Sequence, residues 1–392
     1  MKIVDVSDSF SQKGGGVRSY VLRKLAAAAD AGHELVVVAP GERDATERVA
    51  GGRVIWIAGP RSPVDRAYGF FADEAALHRV LDREAPDVIE ASSPWAGARF
   101  VARWRGSAAR VLVFHTDPVA VWGHTFCSPR IGFDAIDRVC APWWRRFAKL
   151  SARFDATIAS GDWLVERLAR QGVRRAETIA FGIDKRRFAP SLADSELRAS
   201  LLARCNAPAH ARLLVAVGRL DPEKRIGTVL DGFRRAAKQQ PLALVVCGRG
   251  SLQRWWAGRI AATPHAHWLG FLDGRDELAR VLASADAFVH GSAAETYGLA
   301  VGEAICSGVP AIVPDRGGAA ALVRDGAGAH YPAGDANGCA AAIGRVLAQD
   351  REWSRAACRR AAAHIVDLRD HFDQLFARYR RLVGGGVDRL GA

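Results

Sequence analysis

Short apolar, β-branched runs alternate along the chain with amphipathic stretches of helical period. Runs too short for a buried helix, and apolar without alternation, mark strands covered on both faces. Such strands pair in parallel sheets, with the helices as crossovers. A first series of strands is expected at residues 3–6, 35–39, 54–57, 88–91, 111–115, 156–159 and 178–180. Gly182-Ile183-Asp184, the basic run Lys185-Arg186-Arg187 and Pro190 then break the pattern. A second series follows at 213–217, 242–247, 267–269, 287–290, 311–313 and 330–331, with helices such as 17–31 and 227–238 between strands. At 392 residues the chain is too long for one comfortable core and right for two. The expected fold is α/β: two Rossmann-like, doubly wound domains, at 1–187 and 188–367, facing across a cleft. Ligands of such sheets bind beyond the carboxyl ends of the strands, which would place the active site in that cleft. Phe372, Phe376 and Tyr379 are spaced four and three apart and share one helical face. A C-terminal helix, within about 368–392, is expected to return to the first domain, with the tail from Gly384 frayed.

Composition narrows the function. No apolar run approaches the roughly 18–20 residues that a spanning helix needs. The N-terminus has one Lys and an apolar stretch broken by Asp5, which reads as a first strand rather than a secretory signal. A cytoplasmic protein is therefore expected. Its seven cysteines form no C-x-x-C pair, so structural zinc and a disulfide framework are disfavoured and reduced buried thiols are expected. The net charge is +13, and residues 99–187 hold 17 basic and 8 acidic side chains. The preference for Arg follows compositional bias; its clustering does not. The same region carries Trp95, Trp104, Trp122, Trp143 and Trp144 with Arg103, Arg105, Arg145, Arg146 and Lys149. Interfacial Trp with Arg suits an anionic membrane surface, and the alternative is core aromatics beside a solvated basic face. No helix-turn-helix, zinc or RNP-type pattern accompanies the charge, so nucleic acid is not an expected partner.

Three motifs carry chemistry. Lys13-Gly14-Gly15-Gly16-Val17 follows the first strand and opens a helix, where glycines permit close backbone approach and a helix start favours anions. A dinucleotide fingerprint fails there, because its third glycine position is Ser19 and the second strand ends in Ala39-Pro40 without a ribose-binding acid. A tight turn, or a phosphate or sugar contact, remains. Gly218-Arg219-Leu220-Asp221-Pro222-Glu223-Lys224 ends the second domain's first strand. Arg219 and Lys224 there can meet a diphosphate, or can be a solvated helix start. Glu295-Thr296-Tyr297-Gly298-Leu299 leads to Glu303, one glutamate in a loop and the other a turn into a helix. Carboxylates accept hydrogen bonds from sugar and ribose hydroxyls, and free amides at a helix start meet phosphate or sugar oxygens.

Taken in order, Gly15-Gly16-Val17, Phe114-His115-Thr116-Asp117, Gly218-Arg219 with Glu223-Lys224, Gly248-Arg249-Gly250, Glu295-x7-Glu303 and Pro332-Ala333-Gly334-Asp335 span most of the chain. Together they resemble the retaining GT-B glycosyltransferases of family 4, which include mannosyl- and glucosyltransferases for phosphatidylinositol, glycolipids and sucrose-type products. The resemblance implies that Glu295 holds donor-sugar hydroxyls, Glu303 the nucleotide ribose, and Arg219 and Lys224 the diphosphate. Amides around Tyr297, Gly298 and Leu299 would contact sugar and phosphate. Arg249, Gly250, Phe271 and Leu272 would frame the base, and Gly15 and Gly16 would approach the donor from the other domain. His115 would lie near the sugar's O6 and the acceptor; as a residue it can equally be a satisfied strand-end histidine. The resemblance further implies no cofactor and no bound metal, since Arg, Lys and helix dipoles replace it. Two departures stand out: Tyr297 where Phe is usual, and Arg225 after Lys224 where Gly is frequent.

The implied reaction moves a hexosyl group from a UDP- or GDP-sugar to an acceptor hydroxyl, with retention, by front-face attack aided by the leaving phosphate. Acceptors of the family are held mainly by the N-terminal domain. The Trp–Arg composition there favours a peripheral enzyme acting on a lipid or lipid-linked glycan at an anionic membrane surface. The alternatives are a soluble small-molecule acceptor, a nucleotide-sugar epimerase of the same fold, and a non-catalytic sugar- or nucleic-acid-binding protein. A pyridoxal-dependent phosphorylase fits less well, because the chain is short and Lys is scarce.

Overall fold

The computed structural model describes residues 1–11, 16–62, 68–128 and 131–387. Lys13, Gly14 and Gly15 of the first glycine loop lie outside them. The chain divides into two compact units. Unit 1 comprises Met1–Thr116, Arg138–Ala180 and the residues from Arg369; unit 2 comprises Asp117–Asp137 and Phe181–Leu368. The break thus falls seven residues before the expected 187, and a short segment inside the first strand series groups with the second unit.

The sheet of unit 1 contains β1 (Lys2–Val6), β2 (Glu34–Gly41), β3 (Ala45–Val49), β4 (Gly52–Ala58), β5 (Val88–Ser92), β6 (Ala109–Phe114), β7 (Ala156–Ala159) and β8 (Ala176–Thr178). Their order is β3-β4-β2-β1-β5-β6-β7-β8, parallel except for the β3–β4 hairpin. Sequence reading missed β3 because its residues are almost all exposed, and an edge strand with no buried face has no apolar signature. It also placed β8 two residues late. Edge pairing to β7 holds Ala176–Thr178, while the apolar Ile179 is buried just beyond the strand.

Unit 1 is organised around a buried charge cluster where β1 and β5 lie side by side. Lys24, on helix Gly16–Asp30, is fully buried and donates to Asp5 at 2.5 Å and Glu90 at 2.8 Å. Ser92 donates to the same two carboxylates, at 2.7 and 2.9 Å, and Tyr379 of helix Leu368–Val387 donates to Glu90. Burial drives the Asp5 carboxyl up. Burial pushes the Glu90 carboxyl up as well, but the Lys24 charge, then His115 and the Lys24 hydrogen bond, outweigh it and hold the group well below the usual range. Phe372, Phe376 and Tyr379 are all buried on one helix face, as their spacing predicts. His371 of the same helix hydrogen-bonds Tyr20 at 2.9 Å and the Ala180 carbonyl at 2.8 Å. The C-terminal helix is therefore fixed to unit 1 by polar as well as apolar contacts.

The proposed aromatic-basic face is smaller than its composition suggests. Trp144 is buried under Arg167, Trp104 is buried with its ring N–H on Asp82 at 2.7 Å, and Arg103 is paired with Glu74. Helix Ala141–Ser151 nevertheless exposes Trp143, Arg145, Arg146 and Lys149 together. Five cysteines are buried, but Cys127 is exposed and Cys140 is half-buried. Among the described residues no helix is long and apolar enough to cross a membrane.

Unit 2 holds β9 (Arg212–Val217), β10 (Leu242–Cys247), β11 (Ala266–Gly270), β12 (Ala287–Val289), β13 (Ala311–Pro314) and β14 (Gly328–Tyr331), all parallel, in the order β11-β10-β9-β12-β13-β14. Leu230 and Phe233 of helix Ile226–Ala236 share its core with Val246 and Ile343. The chain winds one way from β9 and the other way from β12, so these neighbours form the switch point of the sheet.

Replacing Lys24 with Met leaves two carboxylates without their cation in a dry site. The substitution is expected to cost about 3–5 kcal/mol, the range for breaking a buried ion pair. Thermal unfolding followed by circular dichroism should show a midpoint lower by several degrees; an unchanged midpoint contradicts the central role of the cluster.

Candidate functional site

The loops after β9 and β12 meet at the switch point of unit 2. Pro222–Lys224 form a single tight helical turn after β9, which aims Lys224 toward the β12 loop. Its Nζ donates to Glu295 Oε1 at 2.5 Å. His290, the first residue after β12, places Nε2 3.4 Å from the same oxygen. The Tyr331 hydroxyl donates to the His290 carbonyl at 2.6 Å, and the His290 N–H donates to the Ile312 carbonyl at 2.8 Å. The histidine backbone is thus fixed from both sides. Burial raises the Glu295 carboxyl, but the Lys224 charge and then His290 outweigh it and hold the group well below the usual carboxylate range. Glu295 is therefore an ionised acceptor that remains one-fifth exposed.

Glu303 lies one turn into helix Leu299–Cys306 and is almost fully buried. It pairs with Arg275 at 2.5 Å, whose guanidinium lies 4.9 Å from the centre of the Phe188 ring. Gly298 caps the helix in a left-handed conformation (φ +96°), and no side chain caps the helix start. A Cβ there would stand 2.8 Å from the Ala319 methyl, so glycine is required by both the turn and the packing. The Leu299 and Ala300 amides at this helix start have no side-chain cap, an arrangement suited to anions. Tyr297 is buried edge-on to Phe181 at 5.8 Å, which accommodates the ring that stands where Phe is usual.

A third group extends from β10. Gly248 (φ +133°) passes so close to Gly218 that a Cβ would meet the Gly218 carbonyl at 1.9 Å. This draws Arg249 and Gly250 beside the β9 loop, where the Leu220 N–H donates to the Arg249 carbonyl at 3.1 Å. The Arg249 guanidinium stacks 4.2 Å above the half-exposed Phe271 ring, next to the partly buried Leu272. Arg219 contacts Asp221 at 2.9 Å and Glu223 at 2.5 Å rather than sharing a partner with Lys224.

The structure thus brings Lys224 and Glu295 together, and gives Glu303 a separate cation. His290 and Arg275 were not anticipated as site residues. His290 was visible as the polar end of an apolar strand, five residues before Glu295. Arg275 lies at the start of a different helix and has no local signal. In unit 1, Gly16 opens helix Gly16–Asp30 and is exposed. Gly15 lies outside the described residues. His115 does not point outward: its side chain is almost fully covered, Nε2 lies 3.9 Å from Glu90, and its ring meets Tyr20 edge-on at 5.0 Å. It belongs to the Lys24 cluster because β6 runs beside β5 and ends at the level of Ser92. Among the described residues no group of three or more His, Cys, Asp and Glu side chains is arranged to hold a metal ion.

Comparison with known proteins gives this geometry a family. Residues 203–364 match the family model described as Glycosyl transferases group 1, and residues 14–187 match that described as Glycosyltransferase Family 4. A GDP-mannose-dependent alpha-mannosyltransferase of Mycobacterium tuberculosis is 32% identical, over 82% of this chain and 81% of that protein. A GDP-mannose-dependent alpha-(1-6)-phosphatidylinositol dimannoside mannosyltransferase of the same species is 27% identical, over 80% of this chain and 79% of that one. The fold is shared with a sucrose-phosphate synthase of Thermosynechococcus elongatus, with a TM-score of 0.79 at 20% identity over 98% of this chain and 100% of that one. The chain belongs to the GT-B glycosyltransferases of family 4 and is a hexosyltransferase that uses a nucleotide-sugar donor.

Proposed function

We propose that the enzyme transfers mannose from GDP-mannose to a hydroxyl of a lipid or lipid-linked glycan, with retention of anomeric configuration and without a bound metal. The observation that carries the reading is the Lys224–Glu295 pair at the switch point of unit 2. It sets an ammonium, for a departing diphosphate, beside an ionised carboxylate, for sugar hydroxyls. The donor is supported by the GDP-mannose dependence in the names of relatives at 27% and 32% identity. Retention is supported by their designation as alpha-transferases, since an alpha product from an alpha-linked donor keeps its configuration.

In this mechanism both Lys224 and His290 engage Glu295 Oε1, which leaves Oε2 to accept from the sugar. As the C1–phosphate bond breaks, negative charge grows on the diphosphate. Lys224, Arg219 and the first amides of helix Leu299–Cys306 stabilise it there, where such charge contributes most. The acceptor oxygen forms the new bond to C1 from the same face, and its proton passes to the leaving phosphate oxygen. Glu303 holds the ribose, with Arg275 hydrogen-bonded to its Oε1 and fixing the carboxylate in place. Arg249 over Phe271, with Gly250 and Leu272 beside it, offers a flat cationic platform for the base. Amides near Tyr297, Gly298 and Leu299 meet sugar and phosphate oxygens.

Purified enzyme should bind GDP and slowly hydrolyse GDP-mannose, and it should act on UDP-glucose to a much smaller extent. Lys224→Ala and Glu303→Ala should each lower turnover by about 10²–10³-fold, the range for removing one preorganised electrostatic contact. Turnover should persist undiminished in excess EDTA. Wild-type rates in either variant would sink the assignment of the donor site.

The role of His290 is separable. His290 Nε2 lies 3.4 Å from the ionised Glu295. A polar contact to an ionised partner is worth up to roughly 1.5–3 kcal/mol, so His290→Ala should reduce kcat by about ten- to a hundredfold. His290→Gln, which returns an N–H near the same position, should recover most of the loss. If Ala and Gln behave alike, His290 does not act through Glu295.

The exposed face of helix Ala141–Ser151 supports contact with an anionic membrane surface through Trp143, Arg145, Arg146 and Lys149. In flotation with phosphatidylglycerol-containing vesicles, the wild type should rise with the lipid at low salt and be released as salt increases. The double variant Arg145→Glu, Arg146→Glu should stay behind; equal flotation of both proteins would remove this helix from the binding surface.

A further inference from the structure

Arg225 directly follows Lys224 and turns the backbone left-handed, with φ +46° and ψ +44°. Glycine adopts this conformation freely, whereas a residue with a Cβ adopts it at a cost. A strained backbone that keeps a long side chain points to work done by that side chain. Here the guanidinium is occupied: Nη2 donates to the His124 carbonyl at 3.0 Å and to the Ser128 hydroxyl at 2.7 Å. Gly334 lies against its other arm, where a Cβ would stand 2.8 Å from Nη1.

The segment it grips is itself unusual. Asp117–Asp137 leaves the chain just after His115 and Thr116, yet groups with unit 2. It begins with a wide π-type helix at Val119–His124, a form found disproportionately at functional sites. His124 then contacts Asp137 at 3.0 Å and meets Phe133 edge-on at 4.9 Å, and Arg316 lies 4.4 Å from the centre of that Phe133 ring. Two arginines from separate loops of unit 2 therefore hold one segment. On its outside, Trp122 and Phe126 stack at 6.3 Å and are about half exposed. That is an apolar surface tied, through one residue, to the loop that carries Lys224.

We infer that Arg225 is a positioning residue that pins residues 117–128 to the donor loop, so that Trp122 and Phe126 receive the apolar part of the acceptor at a fixed place relative to Lys224. This rests on the donor-site reading above. It separates Arg225 from its neighbour: Lys224 acts on the donor, Arg225 on acceptor selection. Glycine at this position would satisfy the backbone but release the segment.

The test uses the full chain as wild type, Arg225→Gly and Arg225→Lys. The second variant keeps the charge but replaces the planar guanidinium, whose Nη2 donates to both acceptors, with an ammonium. Hydrogen exchange reads the clamp directly. Amides in 117–128 should exchange at least about tenfold faster in Arg225→Gly, while those of β9 and β12 stay unchanged. Affinity for GDP, by calorimetry, should change less than about threefold. Transfer from GDP-mannose is then compared between octyl α-mannoside and methyl α-mannoside, which differ only in the apolar tail. The preference for the octyl acceptor should fall about tenfold or more in Arg225→Gly, the size of one charge-assisted hydrogen bond, and in part in Arg225→Lys. Unchanged exchange in 117–128 would overturn the proposal. So would a loss of GDP affinity as large as the loss of octyl transfer, or an unaltered octyl preference. The exchange measurement needs no substrate, so a wild type that fails to bind GDP would count against the donor assignment and leave the clamp to be judged by exchange.

Discussion

The ion pair between Lys224 and Glu295 sits where the sheet of unit 2 reverses its winding. At that point the chain winds away from two neighbouring strands in opposite directions, which makes their carboxyl ends a crevice by topology. A cation and an anion placed there from different loops do two things. They fix each other's geometry without a ligand, and they present both signs of charge that a sugar diphosphate requires. His290 and Tyr331 extend the fixation one layer inward, from carboxylate to imidazole to backbone. Gly248 lets the β10 loop pass against Gly218, and Gly298 lets the start of helix Leu299–Cys306 turn against Ala319.

Unit 1 repeats the arrangement with the opposite outcome. Its switch point, between β1 and β5, also carries a lysine between carboxylates, Lys24 with Asp5 and Glu90. There the cluster is completely covered by helix Gly16–Asp30 and the C-terminal helix, and every charge is paired inside the protein. Such a cluster is a poor source of net stability but a strong selector of one packing, because any other arrangement strands a charge. His115 lies at its edge, with Nε2 3.9 Å from Glu90.

The strands of both sheets were largely legible because buried parallel strands must be apolar throughout. β3 was not, since an exposed edge strand is free to be polar. Lys224, Glu295 and Glu303 were legible from their positions at the ends of such strands and the start of a helix. Their partners were not: Arg275 is 28 residues from Glu303, and Lys224 is 71 residues from Glu295. The Trp-rich third of the chain shows the limit of composition. Trp104 and Trp144 are buried while Trp122 and Trp143 face solvent, and nothing in their immediate neighbours separates the two pairs.

By itself, the sequence determined the alternation of strand and helix, the two doubly wound sheets and the residue types needed to bind a sugar nucleotide. These follow from local periodicity and from glycines and charges at strand ends. Tertiary structure decided which charges are sealed in the core and which remain available. It buried Lys24 and left Lys224 partly open, turned His115 toward Glu90, and bound 117–128 to Arg225. The physical reason is that the same lysine or arginine can close a core or face a ligand. Which it does depends on whether a helix packs over it, and that is settled by contacts between residues far apart in the chain.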